Sequence, residues 1–171
     1  MTTSIKGVSR RSAVRWAVGL AGAAALGQPL CALAAPKKER VTVWKTPDCG
    51  CCNQWVSHLR SNGFEVVTQE VKDTAPTRQK LGLAEKFASC HTGLVGLYVL
   101  EGHVPASDIR RLLREKPKAL GLAVPGMPTG SPGMEMGNAR DAFDVLLVLK
   151  DGTSRTYQAY QTYPRKNFSN S

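Results

Sequence analysis

Three thiols fall within four residues in the run Thr46-Pro47-Asp48-Cys49-Gly50-Cys51-Cys52, directly after the apolar stretch Val41-Thr42-Val43-Trp44. A β-branched strand, a Pro-Asp turn and a polar-apolar helical pattern through Asn53, Gln54, Trp55, Val56, His58, Leu59 and Arg60 put this turn between a strand and a helix, with Asp48 the expected N-cap. Thiols at a helix N-terminus feel the positive end of the helix dipole, which favours thiolate. Thiolate is the species that attacks disulfides and the species that binds soft metals. Cys49 and Cys52 alone have the C-x-x-C spacing of a dithiol redox turn, and they also suit a disulfide that staples the turn with Cys51 packed as a small hydrophobe. Cys51 is one thiol too many for a simple redox pair. Surplus sulfur suits polynuclear soft-metal sites, where each thiolate bridges two ions.

The remaining donors follow at a distance. Cys90-His91 stands among Ser89, Thr92 and Gly93, and His103 follows at the far end of the apolar run Gly93–Leu100. As one straight strand, that run separates Cys90-His91 from His103 by roughly 30 Å, so the two reach one ion only if the chain bends. His58 shares a helix face with Cys51 but sits about 10 Å further along, suited to a second ion or an extended cluster. Residues 125–137 hold three Met, four Gly and three Pro, too long a connection to be idle in a small domain. Met127, Met134 and Met136 offer soft thioethers there, although Met in loops also serves as packing filler. Cys, His and Met without a carboxylate cluster point away from Mg and Ca and toward Cu(I), Zn(II) or an iron–sulfur cluster.

Compartment narrows the choice. Residues 1–34 read as an export signal: paired Arg10-Arg11, an apolar stretch from Trp16 to Leu26, and Ala32-Leu33-Ala34 as a cleavage site, with a twin-arginine character. This assigns 35–171 to a single exported, periplasmic domain with no stable membrane insertion after cleavage. Cys31 falls in the leader, and the other four cysteines group as three plus one, unlike a scattered disulfide scaffold. The net charge of +10 also shrinks, because four bases and no acid lie in the first 35 residues, leaving 19 bases against 13 acids. Spread without a basic block, that surplus gives nucleic-acid binding little support. Thioethers beside thiolates in an exported chain tip the metal to copper.

For the fold, a strand at 41–45, the cysteine helix ending at Gly63, and a strand over 64–71 form a β-α-β unit with a parallel pair. A weakly amphipathic helix is expected over 77–88, a strand over 93–100, and a helix from Ser107 or Asp108 to about Glu115. Residues 117–142 read as loop. Phe143–Lys150 and Ser154–Tyr160 flank Asp151-Gly152 and predict a β-hairpin. Together these describe a thioredoxin-like α/β fold: a small mixed sheet, flanking helices and a C-terminal hairpin.

The segments TPDCGCCNQWVSHL, SCHTGLVGLYVLEGHVPASDIRRLL and GLAVPGMPTGSPGMEMG resemble the CopG-type family of periplasmic copper-resistance proteins, across residues 41–160. The resemblance implies a thioredoxin-like fold, copper binding and a role in copper tolerance, with ligands at Cys49, Cys51, Cys52 and Cys90. His91, His103 and the methionine loop, with Met127 and Met134 as its candidate ligands, match the same pattern. The expected function is a multinuclear, thiolate-bridged Cu(I) cluster, with Cu(I)/Cu(II) redox and other periplasmic copper-handling proteins as partners. A thiol–disulfide oxidoreductase using Cys49 and Cys52 and a copper chaperone are the rival readings.

Overall fold

The computed structural model describes residues 38–161; the expected export signal lies outside them. Strand β1 (Arg40–Lys45) leads through the cysteine turn into α1 (Gly50–Ser61), and β2 (Glu65–Glu70) returns parallel to β1. In α1 the buried residues Cys52, Trp55, Val56 and Leu59 recur at one helical face. Asn62 and Gly63 donate backbone hydrogen bonds back into the last turn and end the helix, as expected. The N-cap, however, is Cys49 rather than Asp48, and no side chain caps it.

The apolar run 93–100 is not one strand. It folds as β3 (His91–Val95) and β4 (Tyr98–Glu101), antiparallel, with Val95 opposite Tyr98 across the two-residue turn Gly96-Leu97. Gly96 takes φ 56° at the first turn position, where a type II′ hairpin needs glycine, and Leu97 projects 92% exposed. An unbroken apolar sequence hid the turn, because both faces of this hairpin are covered and no alternation marks it. The expected helix over 77–88 is likewise two pieces, α2 (Ala75–Lys80) and a 3-10 turn at Glu85–Phe87, interrupted at Leu81-Gly82. The helix α3 (Ala106–Glu115) follows Pro105 as N-cap.

The stretch 117–142, expected as loop, contains β5 (Gly121–Ala123), three buried residues that pair parallel with β4 and antiparallel with the next strand. Three residues are too few to show a period, yet they join the terminal hairpin to the sheet. That hairpin is β6 (Phe143–Val148) and β7 (Ser154–Tyr160), turning at Asp151-Gly152 as predicted. The result is one mixed sheet in the order β2-β1-β3-β4-β5-β6-β7, the thioredoxin-like β-α-β and β-β-α arrangement extended by three strands.

Side-chain alternation sorts the two faces. Val41, Val43, Leu100, Leu122 and Leu147 join Trp55 and Leu59 of α1 and Ile109 and Leu112 of α3 in the main core. Val99, Ala123 and Val148, the strand neighbours of those residues, point the other way and meet Leu83 and Phe87. Each fully buried leucine contributes roughly 1.5–3 kcal/mol relative to exposure, so both faces of β4 are held firmly. No helix among the described residues is long and apolar enough to cross a membrane.

Candidate metal centre

Two ends of the sheet's chemistry meet where β1 runs out and β3 begins. Lys45 closes β1 opposite His91 in the antiparallel register, so the turn after Lys45 and the residue before His91 lie side by side. Lys45 is buried and its Nζ donates to the Thr46 and Pro47 carbonyls, which fixes the turn that carries the cysteines. The sulfurs of Cys49, Cys51, Cys52 and Cys90 all lie within 4.8 Å of one another. Cys51 Sγ stands 3.5 Å from Cys49 Sγ and 3.7 Å from Cys90 Sγ. Cys49 and Cys52 are joined as a disulfide, while Cys51 and Cys90 are free thiols.

The hairpin β3–β4 supplies the imidazoles. Because β3 and β4 are antiparallel, His103, just past β4, returns beside Cys90, just before β3. Cys90 Sγ lies 3.2 Å from His103 Nε2 and 3.3 Å from His91 Nδ1. The expected 30 Å separation is therefore removed by the turn at Gly96-Leu97, and Cys90, His91 and His103 form a second donor group sharing Cys90 with the first. Donors bound at 2.0–2.3 Å to one tetrahedral ion stand roughly 3.3–3.7 Å apart, so the spacing fits soft or borderline metal ligation. His58 does not join them: its Nε2 accepts from the backbone N–H of Ala106 at 3.1 Å, a packing role between α1 and α3.

His103 is held as a metal-binding histidine would be. Its Nδ1 lies 2.9 Å from the Pro132 carbonyl, which only accepts, so Nδ1 carries the proton and Nε2 presents its lone pair to Cys90. His91 is fully buried against the Trp55 ring at 4.3 Å between centroids, and its Nε2 has no hydrogen-bond partner. Burial first, and then the neighbouring His103, pushes His91 down to about 3, so its ring is neutral and free to ligate. Burial also lowers His103. Burial and then Cys51 push the Cys90 thiol up to about 12. To bind as a thiolate, Cys90 must release its proton to solvent as a cation takes its place on the sulfur.

The Gly/Pro loop is fastened beside the centre by main-chain contacts. Pro132 tethers His103, the Ser89 hydroxyl donates to the Gly126 carbonyl, and Gly133 packs backbone to backbone on the first turn of α1. Met134, next in line, is half-buried, whereas Met127 and Met136 are 54% and 66% exposed. A main-chain carbonyl such as that of Pro132 leaves no side-chain signal in a sequence. The buried pair Arg78 and Glu101 behind Cys90 leaves one trace in the sequence, an acid at the end of the apolar run that closes with Val99-Leu100.

Residues 87–134 match a family described as "Protein of unknown function, DUF411". No curated protein matches the chain. Two solved structures, titled "Copper resistance protein copG", Form 1 and Form 2, are similar at 41% and 40% identity. They cover 73% and 72% of this chain and 99% of their own, each with a TM-score of 0.70.

Proposed function

Because the chain belongs to the CopG family of copper resistance proteins, we propose that it is an exported, periplasmic protein that binds copper as its cargo at Cys49, Cys51, Cys52 and Cys90. The observation that carries this reading is the packing of four sulfurs within 4.8 Å of one another. One tetrahedral ion could take all four thiolates, but adjacent Cys51 and Cys52 would splay around it. Bridging several Cu(I) ions uses them better, so the reading is a multinuclear, thiolate-bridged cluster. His103 and His91 extend the donor set on the Cys90 side, and Met127 and Met134 add neutral thioethers that slow release. A site with both thiolate and imidazole donors also supports Cu(I)/Cu(II) interconversion. Handover to other periplasmic copper-handling proteins fits an exposed loop.

The disulfide sets the condition for loading. Closing Cys49–Cys52 releases two electrons and two protons and withdraws two of the four sulfur donors, so full loading requires the reduced protein. Copper per chain in the purified, reduced protein is the deciding measurement. Two or more ions are expected, and fewer than two would sink the multinuclear reading. Cys51→Ser lowers the stoichiometry and leaves the fold intact. The Cys49–Cys52 bond at a helix N-terminus also favours a second reading, a dithiol oxidoreductase. Insulin reduction by the metal-free protein at thioredoxin-like rates, unaffected by Cys51→Ser, would select it.

A further inference from the structure

Glu101, at the end of β4, is a carboxylate with no solvent exposure. Its Oε1 accepts from Arg78 Nε at 3.0 Å and from the Ser89 backbone N–H at 2.8 Å, and its Oε2 accepts from the Thr92 hydroxyl at 2.7 Å. Arg78 is itself buried, donates to Glu85 at 2.6 Å and to Thr74, and reaches the Ser89 carbonyl at 3.4 Å. Burial pushes the Glu101 carboxyl up, while Thr92, Ser89 and Arg78 pull against it.

Stability alone does not call for such a pair. A buried ion pair loses much hydration, and apolar residues of similar volume serve a core as well or better. What this pair does that an apolar pair would not is aim its bonds. Apart from the guanidinium, both partners of Glu101 flank Cys90-His91: Ser89 immediately before it and Thr92 immediately after. Thr92 and Glu101 are also register partners across β3 and β4, so the same carboxylate ties the strand that starts with His91 to the strand that leads to His103. Three donors are thereby set on one rigid frame, with α2 behind it through Arg78.

We propose that Glu101 is a positioning residue of the metal centre, holding Cys90, His91 and His103 at ligating separation through Ser89 and Thr92. The proposal rests on the copper-binding reading above. Loss of an outer partner of this kind typically costs roughly 10–100-fold in metal affinity.

The test compares reduced wild type with Glu101→Gln, Thr92→Val, Thr92→Ser and Val99→Ala, each loaded with Cu(I). It reads the release rate to a Cu(I) chelator and the copper X-ray absorption spectrum. Glu101→Gln is expected to keep the copper stoichiometry, release roughly 10–100-fold faster and show altered Cu–S and Cu–N distances. Thr92→Val moves both readouts the same way, several-fold, and Thr92→Ser restores them by restoring the hydroxyl. Val99→Ala, which loosens the same strand on the face away from the donors, lowers thermal stability with the wild-type spectrum. Wild-type release and spectrum in Glu101→Gln and Thr92→Val overturn the proposal. So does a Val99→Ala variant that changes both as much as they do. Should Glu101→Gln not fold, the Thr92 pair decides alone. Wild type that takes up no copper fails the copper reading itself, and the positioning role falls with it.

Discussion

The three histidines of the described chain have been given different work by their surroundings, and His91 shows it most clearly. Its ordinary value is 6.5, and burial, helped by His103, brings it to about 3. The unfolded chain therefore takes up a proton near pH 6.5 that the folded chain refuses until about pH 3. The unfolded state binds more protons across that window, so stability is held above it and lost as pH falls through it. Thermal melts of the metal-free protein should shift to lower temperature progressively from pH 6.5 downward, and His91→Gln should flatten the profile. The cysteine group and Cys90-His91 were legible as candidate donors from residue type and spacing. Their partnership with His103 was not, because it depends on two residues, Gly96 and Leu97, that turn what reads as one apolar strand into two.

Among the elements, the loop of residues 125–137 departs most from what its composition suggests. Its three methionines offer soft thioethers, while main chain fastens the loop: the Pro132 carbonyl on His103 and Gly133 on α1. A Cβ at Gly133 would stand 2.7 Å from Trp55 N and 2.9 Å from the Cys51 carbonyl oxygen, atoms of a helix backbone that cannot yield. Gly133→Ala should lift the loop from α1, lowering stability by about 1–3 kcal/mol and speeding Cu(I) release. Gly137→Ala adds its Cβ to open space, so at φ 55° it bears only the left-handed backbone strain and should leave release unchanged. Chemical denaturation and chelator competition measure both. The β-α-β unit, α3 and the terminal hairpin were readable because each carries a period or a turn signal over several residues. The strand β5 was not, since Gly121-Leu122-Ala123 is defined by its neighbours in the sheet rather than by its own pattern.

At the scale of the whole molecule, the centre draws its donors from segments far apart in the sequence, so metal binding and folding are linked. An ion that binds the folded state alone adds about 4 kcal/mol when present at 1,000 times its Kd. Cu(I) should therefore raise the melting temperature of the reduced protein, and a chelator should reverse the rise. With Cys49 and Cys52 oxidised the rise should be much smaller, because half of the sulfur donors are gone; calorimetry on the two redox forms makes the comparison. The folded unit also carries a gauge of its own state. The Trp55 indole is sealed from solvent, donates to the Val104 carbonyl at 2.8 Å and lies against the His91 ring, the two planes tilted by 38°. Copper bound one ring away should change the emission of Trp55, and Trp44→Phe would remove the other tryptophan of the described residues. Loading, release and oxidation of this protein are thus open to being followed in real time by its own fluorescence, without a label.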